Sequence, residues 1–216
     1  NLLQQSLSYL ASDWSRWITM PVDLSLFLIA VASMLLFGIP AVRKGTRIPK
    51  TGTIEEVSAI DLAPQVASHF SILDTELWQL GYSPIVFFRS PELQGDHVCR
   101  FYLHPGDAAA CMAVVSTHVT EGIVTPQNYL EFTTDFDDGG AVNTRNATIS
   151  TPFPPLPGHV NQGIPSATTA SALKARHDRT ISSMPHRIAK TPSRRSLFSD
   201  YSSQHERWIS FHASNG

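Results

Sequence analysis

Cysteine is scarce in this sequence. Only Cys99 and Cys111 occur in 216 residues, which excludes a disulfide framework and suits a reducing compartment. Recognisable catalytic and cofactor signatures are also missing. The chain has no H-x-H, H-E-x-x-H or paired C-x-x-C spacing for a metal. It has no G-x-S-x-G elbow, no G-x-x-x-x-G-K-[ST] loop and no G-x-G-x-x-G after a strand. Dense blocks of lysine and arginine are absent too, and with an acidic middle this argues against a nucleic-acid partner. The sequence starts at Asn1 without a methionine, as a fragment or a processed chain does.

What the sequence does have is one long apolar run, Pro21–Val42, uncharged from Leu24 to Val42. At about 1.5 Å per residue it makes a helix of roughly 33 Å, enough for a hydrocarbon core of about 30 Å. Pro21 suits the first helical turn, and Asp23 favours the positive end of the helix dipole. Trp14 and Trp17 precede the run, as interfacial aromatics do. Arg43, Lys44, Arg47 and Lys50 follow it, against the single Arg16 before it. That imbalance places the N-terminus outside and everything after Lys50 in the cytoplasm, on the inner membrane of the cell. A cleaved signal peptide fits less well, because its positive charge precedes its apolar region; a buried core helix is the other alternative.

Charge divides the chain into three. Residues 1–50 carry five Lys/Arg and two Asp/Glu, a net +3; residues 51–160 carry three and thirteen, −10; residues 161–216 carry eight and three, +5. The basic tail has three destinies: anionic lipid, the acidic middle, or solvent.

Residues 1–20 have Leu2, Leu3, Leu7, Leu10, Trp14, Trp17 and Ile18 at amphipathic spacing, a pre-anchor segment at the membrane surface. Residues 21–42 are the transmembrane helix and 43–60 a basic exit and spacer. From 61 to 149 the pattern is an α+β domain. Asp61 and Pro64 open a helix whose stripe is Val66, Phe70, Leu73, Leu77 and Leu80, and Gly81 stops it in the left-handed conformation. Strands are predicted at Pro84–Arg89, Val98–Leu103, Ala110–Val119 and Tyr129–Phe136, then a polar edge strand at Ala141–Asn146 beyond the Asp137-Asp138-Gly139-Gly140 turn. In Tyr129–Phe136, Leu130, Phe132 and Phe136 alternate with Glu131, Thr133 and Asp135, which implies one covered face and one wet face. The fold predicted is one helix packed on a four- or five-stranded antiparallel sheet. Residues 150–166 form a Pro-rich strap with P-x-x-P spacing, and 167–216 a basic, helical or partly disordered tail with helices at Ala167–Ile181 and Asp200–His212.

Nine histidines invite a metal hypothesis. His97, His104 and His118 lie in or beside adjacent strands with Asp107 close by, although His104-Pro105-Gly106-Asp107 has the composition of a tight turn. Asp135, Asp137 and Asp138 are carboxylates for acid/base work or, equally, turn residues. If Leu103 pairs with Ala110 or Cys111, then Cys99 faces Val114 or Val115, so the two thiols do not face each other. None of these sets reaches the standing of a catalytic, cofactor or metal site, and no cofactor is implied.

The span, the helix ending Leu80-Gly81-Tyr82, the stretch Tyr129-Leu130-Glu131-Phe132-Thr133-Thr134-Asp135-Phe136-Asp137-Asp138-Gly139 with Asn143-Thr144, and Phe153-Pro154-Pro155 resemble a group of uncharacterised bacterial single-pass membrane-anchored proteins. The resemblance covers roughly Pro21 to Arg179, and the tail after Thr180 departs from it. That group has no assigned activity, so it implies no site residue. The functional expectation is a membrane-anchored cytosolic module that binds an unknown ligand or protein partner, with the bilayer held through residues 21–42 and anionic lipid touched by the tail. The alternative is a membrane-tethered hydrolase or metal-dependent enzyme using His97, His104, His118 or Asp107; a third reading is a purely structural membrane-associated protein.

Overall fold

The computed structural model describes residues 22–34, 36, 54–90, 96–120, 123–148 and 154–215, and the chain divides into two units, Asn1–Ile48 and Pro49–Gly216. In the first unit, helix α1 spans Val22–Ser33, and its apolar side chains Phe27 and Ile29 are exposed. No helix among the described residues is long and apolar enough to cross a membrane. Of the predicted transmembrane helix 21–42, residues 21, 35 and 37–42 lie outside the described residues, as does the whole pre-anchor segment 1–20.

The second unit is built on a seven-stranded sheet in simple sequence order. Its strands are β1 Glu55–Val57, β2 Ser83–Arg89, β3 Asp96–Leu103, β4 Ala110–Thr120, β5 Ile123–Asp135, β6 Ala141–Arg145 and β7 His159–Gly163. Every neighbouring pair is antiparallel except β6 with β7. Three helices pack on it: α2 Pro64–Gln79, α3 Ala170–Ser182 and α4 Leu197–Asn215. The fold is therefore α+β, with more strands than the sequence pattern announced and with the two tail helices packed on the sheet beside the predicted one.

The α2 stripe read from the sequence is the one used. Phe70 and Leu77 are buried, Val66, Leu73 and Leu80 pack beside them, and Gly81 takes φ +82° to end the helix. A side chain at Gly81 would run into the His104 ring, so the stop also leaves room for the neighbouring turn. Asp61 does not cap α2. It closes a short 3-10 turn, Ala59–Asp61, that Ser58 caps, and the N-cap position of α2 is Ala63.

Four differences from the sequence reading matter. First, the sheet has seven strands instead of four or five, because β1 falls in the expected spacer and β7 in the expected strap. Three residues are too few to show a period, and His159-Val160-Asn161-Gln162-Gly163 has one large apolar residue with which to show it. Second, β6 is not an edge: β7 pairs with its outer side, and Val142 and Thr144 are buried beneath α3. Third, the tail is part of the fold. Ala170 and Leu173 of α3 join the core formed by Phe70, Leu77, Phe87, Tyr102, Leu130 and Phe132. Fourth, the second sheet face is not wet. Leu197, Phe198 and Tyr201 of α4 pack on Phe88, Cys99, Phe101, Met112 and Val114. This second unit has three layers, with α2 and α3 on one side of the sheet and α4 on the other.

The basic tail is in part spent on the acidic middle. Lys174 lies 2.7 Å from Asp107, Arg187 lies 2.6 Å from Asp138, and Arg207 donates to the Gly139 carbonyl at 3.0 Å. Between α3 and α4 the chain adds backbone pairs to the end of β5, with Asp137 N–H donating to Ile188 O and Lys190 N–H to Asp135 O. Gly140 is held by close approach. A side chain there would overlap the Arg187 guanidinium and the Gly158 carbonyl.

Candidate functional site

Along β3 and β4 both faces of each strand are apolar, so both are buried: Val98, Tyr102, Cys111 and Ala113 face α2 and α3, while Cys99, Phe101, Met112 and Val114 face α4. Along β5 the α4 side changes character. Glu131, Thr133 and Asp135 occupy it at steps of two. The first turns of α4 have aromatic anchors for the apolar half, with Phe88 to Phe198 at 5.5 Å and Phe101 to Tyr201 at 6.0 Å between ring centroids. Past Tyr201 the helix has nothing apolar to press on at β5, and a cavity of about 580 Å³ opens between the two. Phe101, Met112, Phe136, Leu197 and Tyr201 form its apolar wall. Glu131, Thr133, Asp135, Lys190, Asp200, Gln204 and Arg207 form its polar one.

The carboxylates in that wall differ in environment. Burial pushes Glu131 above the usual carboxylate range, opposed by Arg145 and a Thr133 hydrogen bond. The Arg145 Nε is 3.1 Å from Glu131, yet its N–H is not aligned on the carboxylate, so the opposition is incomplete. Asp135 is also raised, by burial first; Gln204 donates to it, the charge of Asp200 raises it further, and Lys190 and Arg207 pull it down. Asp138, two residues into the turn, behaves oppositely. Hydrogen bonds from Arg187 and from the Gly140 amide bring it down to about 2. Asp137 is exposed at the same turn. The three aspartates singled out in the sequence therefore do not act together: Asp135 faces the cavity wall under α4, and Asp138 is an ion-pair partner on the outside.

Glu131 and Asp135 stand four residues apart on one strand, about 14 Å at some 3.4 Å per residue. That exceeds the roughly 5–9.5 Å over which paired carboxylates divide acid and nucleophile or base roles. The arrangement suits binding: a buried carboxyl at one end, an amide and a guanidinium beside it, and an aromatic wall at the other.

The histidines do not gather. His97 is buried with Nε2 accepting the Ser90 amide at 3.1 Å. His104 turns Nδ1 onto the Gly106 amide at 2.9 Å, inside the His104–Asp107 turn, with its ring 5.4 Å from Tyr82. Asp107 accepts from Tyr82 Oη at 2.7 Å, from the Ala109 amide and from Lys174. Burial raises Asp107, and Lys174, the amide and Tyr82 outweigh it, leaving the carboxyl below its ordinary value. The His118 side chain lies outside the described residues. No group of three metal-capable side chains converges among the described residues. Cys99 faces Val114, Leu103 faces Ala110, and both thiols are buried and outside any disulfide.

A different histidine is placed with more care. His177 of α3 is fully buried between two strands, Nε2 at 2.9 Å from Thr134 Oγ1 and Nδ1 at 3.0 Å from Thr144 Oγ1. Burial first, then the nearby Lys174, lowers it to about 4, so it is neutral at pH 7. With both ring nitrogens engaged and no void beside it among the cavities described, this is a structural polar contact that ties α3 to β5 and β6.

No protein-family model matches this chain, and no curated protein or solved structure matches it either. The functional reading therefore rests on the molecule's own geometry.

Proposed function

We propose that this chain is a membrane-anchored binding module whose small ligand occupies the cavity between β5 and α4. The carrying observation is that cavity: about 580 Å³, in the range of small-molecule sites, with an apolar wall and a few converging polar groups. Asp135 and Gln204 orient the polar end of the ligand, and Phe101, Met112 and Leu197 take its apolar body. Residues 21–42 hold the bilayer, with the domain on the cytoplasmic side of the inner membrane. Outward-facing Phe27, Ile29, Met34 and Leu36 support this, since apolar side chains on the outside of a helix find their place in lipid. The tail's remaining basic residues lie near anionic headgroups, and the resemblance to uncharacterised bacterial membrane-anchored proteins accords with this arrangement. The hydrolase reading has less support, because His97, His104 and Asp107 each have a structural partner and do not converge.

Two measurements test the reading. Full-length protein extracted from membranes in detergent is examined by native mass spectrometry beside Thr133→Trp, which fills the cavity. A small-molecule adduct present in the wild type and absent from the variant is expected; identical adduct-free spectra would sink the ligand. The anchor is tested by sedimenting lysed cells: the chain belongs in the membrane pellet, resists carbonate extraction and leaves it with detergent. Recovery in the supernatant would remove the anchor.

A further inference from the structure

The outer side of β7 is the end of the sheet, and among the described residues no strand pairs with it. Ile164 N–H donates to Arg145 O on β6 at 2.8 Å. Since successive residues of a parallel strand point their amides to opposite sides, the Asn161 and Gly163 amides point away from the sheet. Both residues are exposed. The strand carries no lysine, no proline and no bulge in its pairing, three of the devices that blunt an edge.

Beside that edge, on the α3 side, lies an open concavity of about 490 Å³. Gln162 and Gly163 of β7 form one wall, and Arg176, Arg179 and Thr180 of α3 with Ser183 just past its end form the other. No carboxylate lines it. Arg100, Arg145 and Arg187 each face a carboxylate, whereas among the described residues neither Arg176 nor Arg179 has an ion pair. Among the described residues, Arg179 Nε donates to the Ala175 carbonyl of its own helix. Thr180 Oγ1 donates to Gln162 Oε1 at 3.0 Å and fixes the helix against the strand, so the two walls keep their spacing.

We propose that the outer edge of β7 receives an extended acidic segment of a partner protein, which continues the sheet as an eighth strand. Its backbone pairs with the outward groups of Asn161 and Gly163, and its carboxylates on the α3 side meet Arg176 and Arg179. The spacing agrees. Alternate side chains of a strand stand about 7 Å apart on one face, and helical residues three apart have Cβ atoms about 5–6 Å apart, within the reach of flexible guanidinium arms. Backbone pairing supplies affinity, and the charged pair selects the sequence and the register. This surface is on the opposite side of the sheet from the β5–α4 cavity, and the proposal does not depend on that site.

The test uses full-length protein in detergent and a fluorescent nonapeptide in which Glu alternates with Val and Thr, read by anisotropy at low salt. Three control peptides accompany it: Lys for Glu, the same residues with the glutamates contiguous, and the alternating sequence N-methylated at every second amide. The alternating acidic peptide is expected to bind, and each control to bind at least tenfold more weakly. Joint Arg176→Glu and Arg179→Glu substitution, at exposed positions that leave the circular dichroism unchanged, lowers affinity tenfold or more. Equal binding of the N-methylated peptide would overturn strand addition, and failure of every peptide would overturn the proposal. A concentration-dependent oligomer without peptide, dispersed by the same double substitution, would assign the edge to a second copy of this chain and overturn the partner.

Discussion

The two faces of the sheet are covered by different means. On the α2 and α3 side the apolar core is continuous and most polar groups within it have partners, with Arg100 Nε and Asn128 Oδ1 buried without one among the described residues. Arg100 donates to Asp74 at 2.6 and 2.8 Å, Tyr102 Oη donates to the same carboxylate at 2.9 Å, and the guanidinium lies 4.1 Å from the centroid of the Phe87 ring. On the α4 side an apolar half is sealed by the first turns of the helix, and a polar half is left open as a cavity. The contrast teaches where rigidity and adaptability lie. The closed face fixes the fold, and the half-sealed face leaves polar groups whose hydrogen bonds a ligand can complete.

The largest expected effect tests the closed face. Phe132→Ala removes a fully buried ring between Tyr82 and His177 and should cost about 3–5 kcal/mol in urea unfolding. Tyr201→Ala on the open face removes a half-buried ring and should cost less, by at least about 1 kcal/mol. Equal losses would erase the distinction between the faces.

The next effect is a pH dependence confined to the closed face. His177 titrates at about 4 when folded and near 6.5 when unfolded, so the unfolded chain takes up the proton first as pH falls. The neutral imidazole's contribution is intact above pH 6.5 and is lost progressively down to about pH 4. The shift corresponds to about 3 kcal/mol at about 1.4 kcal/mol per pH unit. Unfolding measured at pH 7 and pH 4.5 should show the wild type losing more stability than His177→Gln, which keeps polar contacts and cannot titrate. The same loss in both proteins would assign the acid sensitivity elsewhere.

Gln204→Ala is the smallest change and the sharpest for the cavity. It should alter stability by no more than about 1 kcal/mol, since one hydrogen bond at a part-buried site is removed. The side-chain carboxyl carbon of Asp135, followed by NMR, should titrate at higher pH than in the wild type, because the donor that opposes its burial is gone. An unmoved titration would show that Gln204 does not tune the carboxyl.

Much of this architecture is written in periodicity, and what is not has physical causes. The α2 stripe and its Gly81 stop, the antiparallel strands β2 to β6 and a β3–β4 pairing with Cys99 opposite Val114 or Val115 follow from spacing and turn residues, and the structure takes the first of those two registers. The two-sided covering was present in β3 and β4 as apolar residues at successive positions, but the clean alternation of β5 pointed to a wet face. Glu131, Thr133 and Asp135 are indeed polar; what covers them comes from some seventy residues later. Gln204 and Arg207 could not be found from local pattern, because their role exists only once α4 lies across the sheet. β7 was illegible because its stability comes from pairing with β6 and not from side-chain alternation. His177 carried no motif and is defined by two threonines 33 and 43 residues away.

The cover of the second sheet face also bears on how the chain is made. Ser90 and Tyr201, which meet through their hydroxyls, are 111 positions apart. A ribosome delivering about 5–20 residues per second leaves Phe88 and Phe101 without their helical cover for roughly five to twenty seconds after synthesis, while the strands around them can already zip together in order. During that interval the nascent sheet has a greasy side facing solvent, so the step most exposed to chaperone capture or misassociation is the late arrival of one helix.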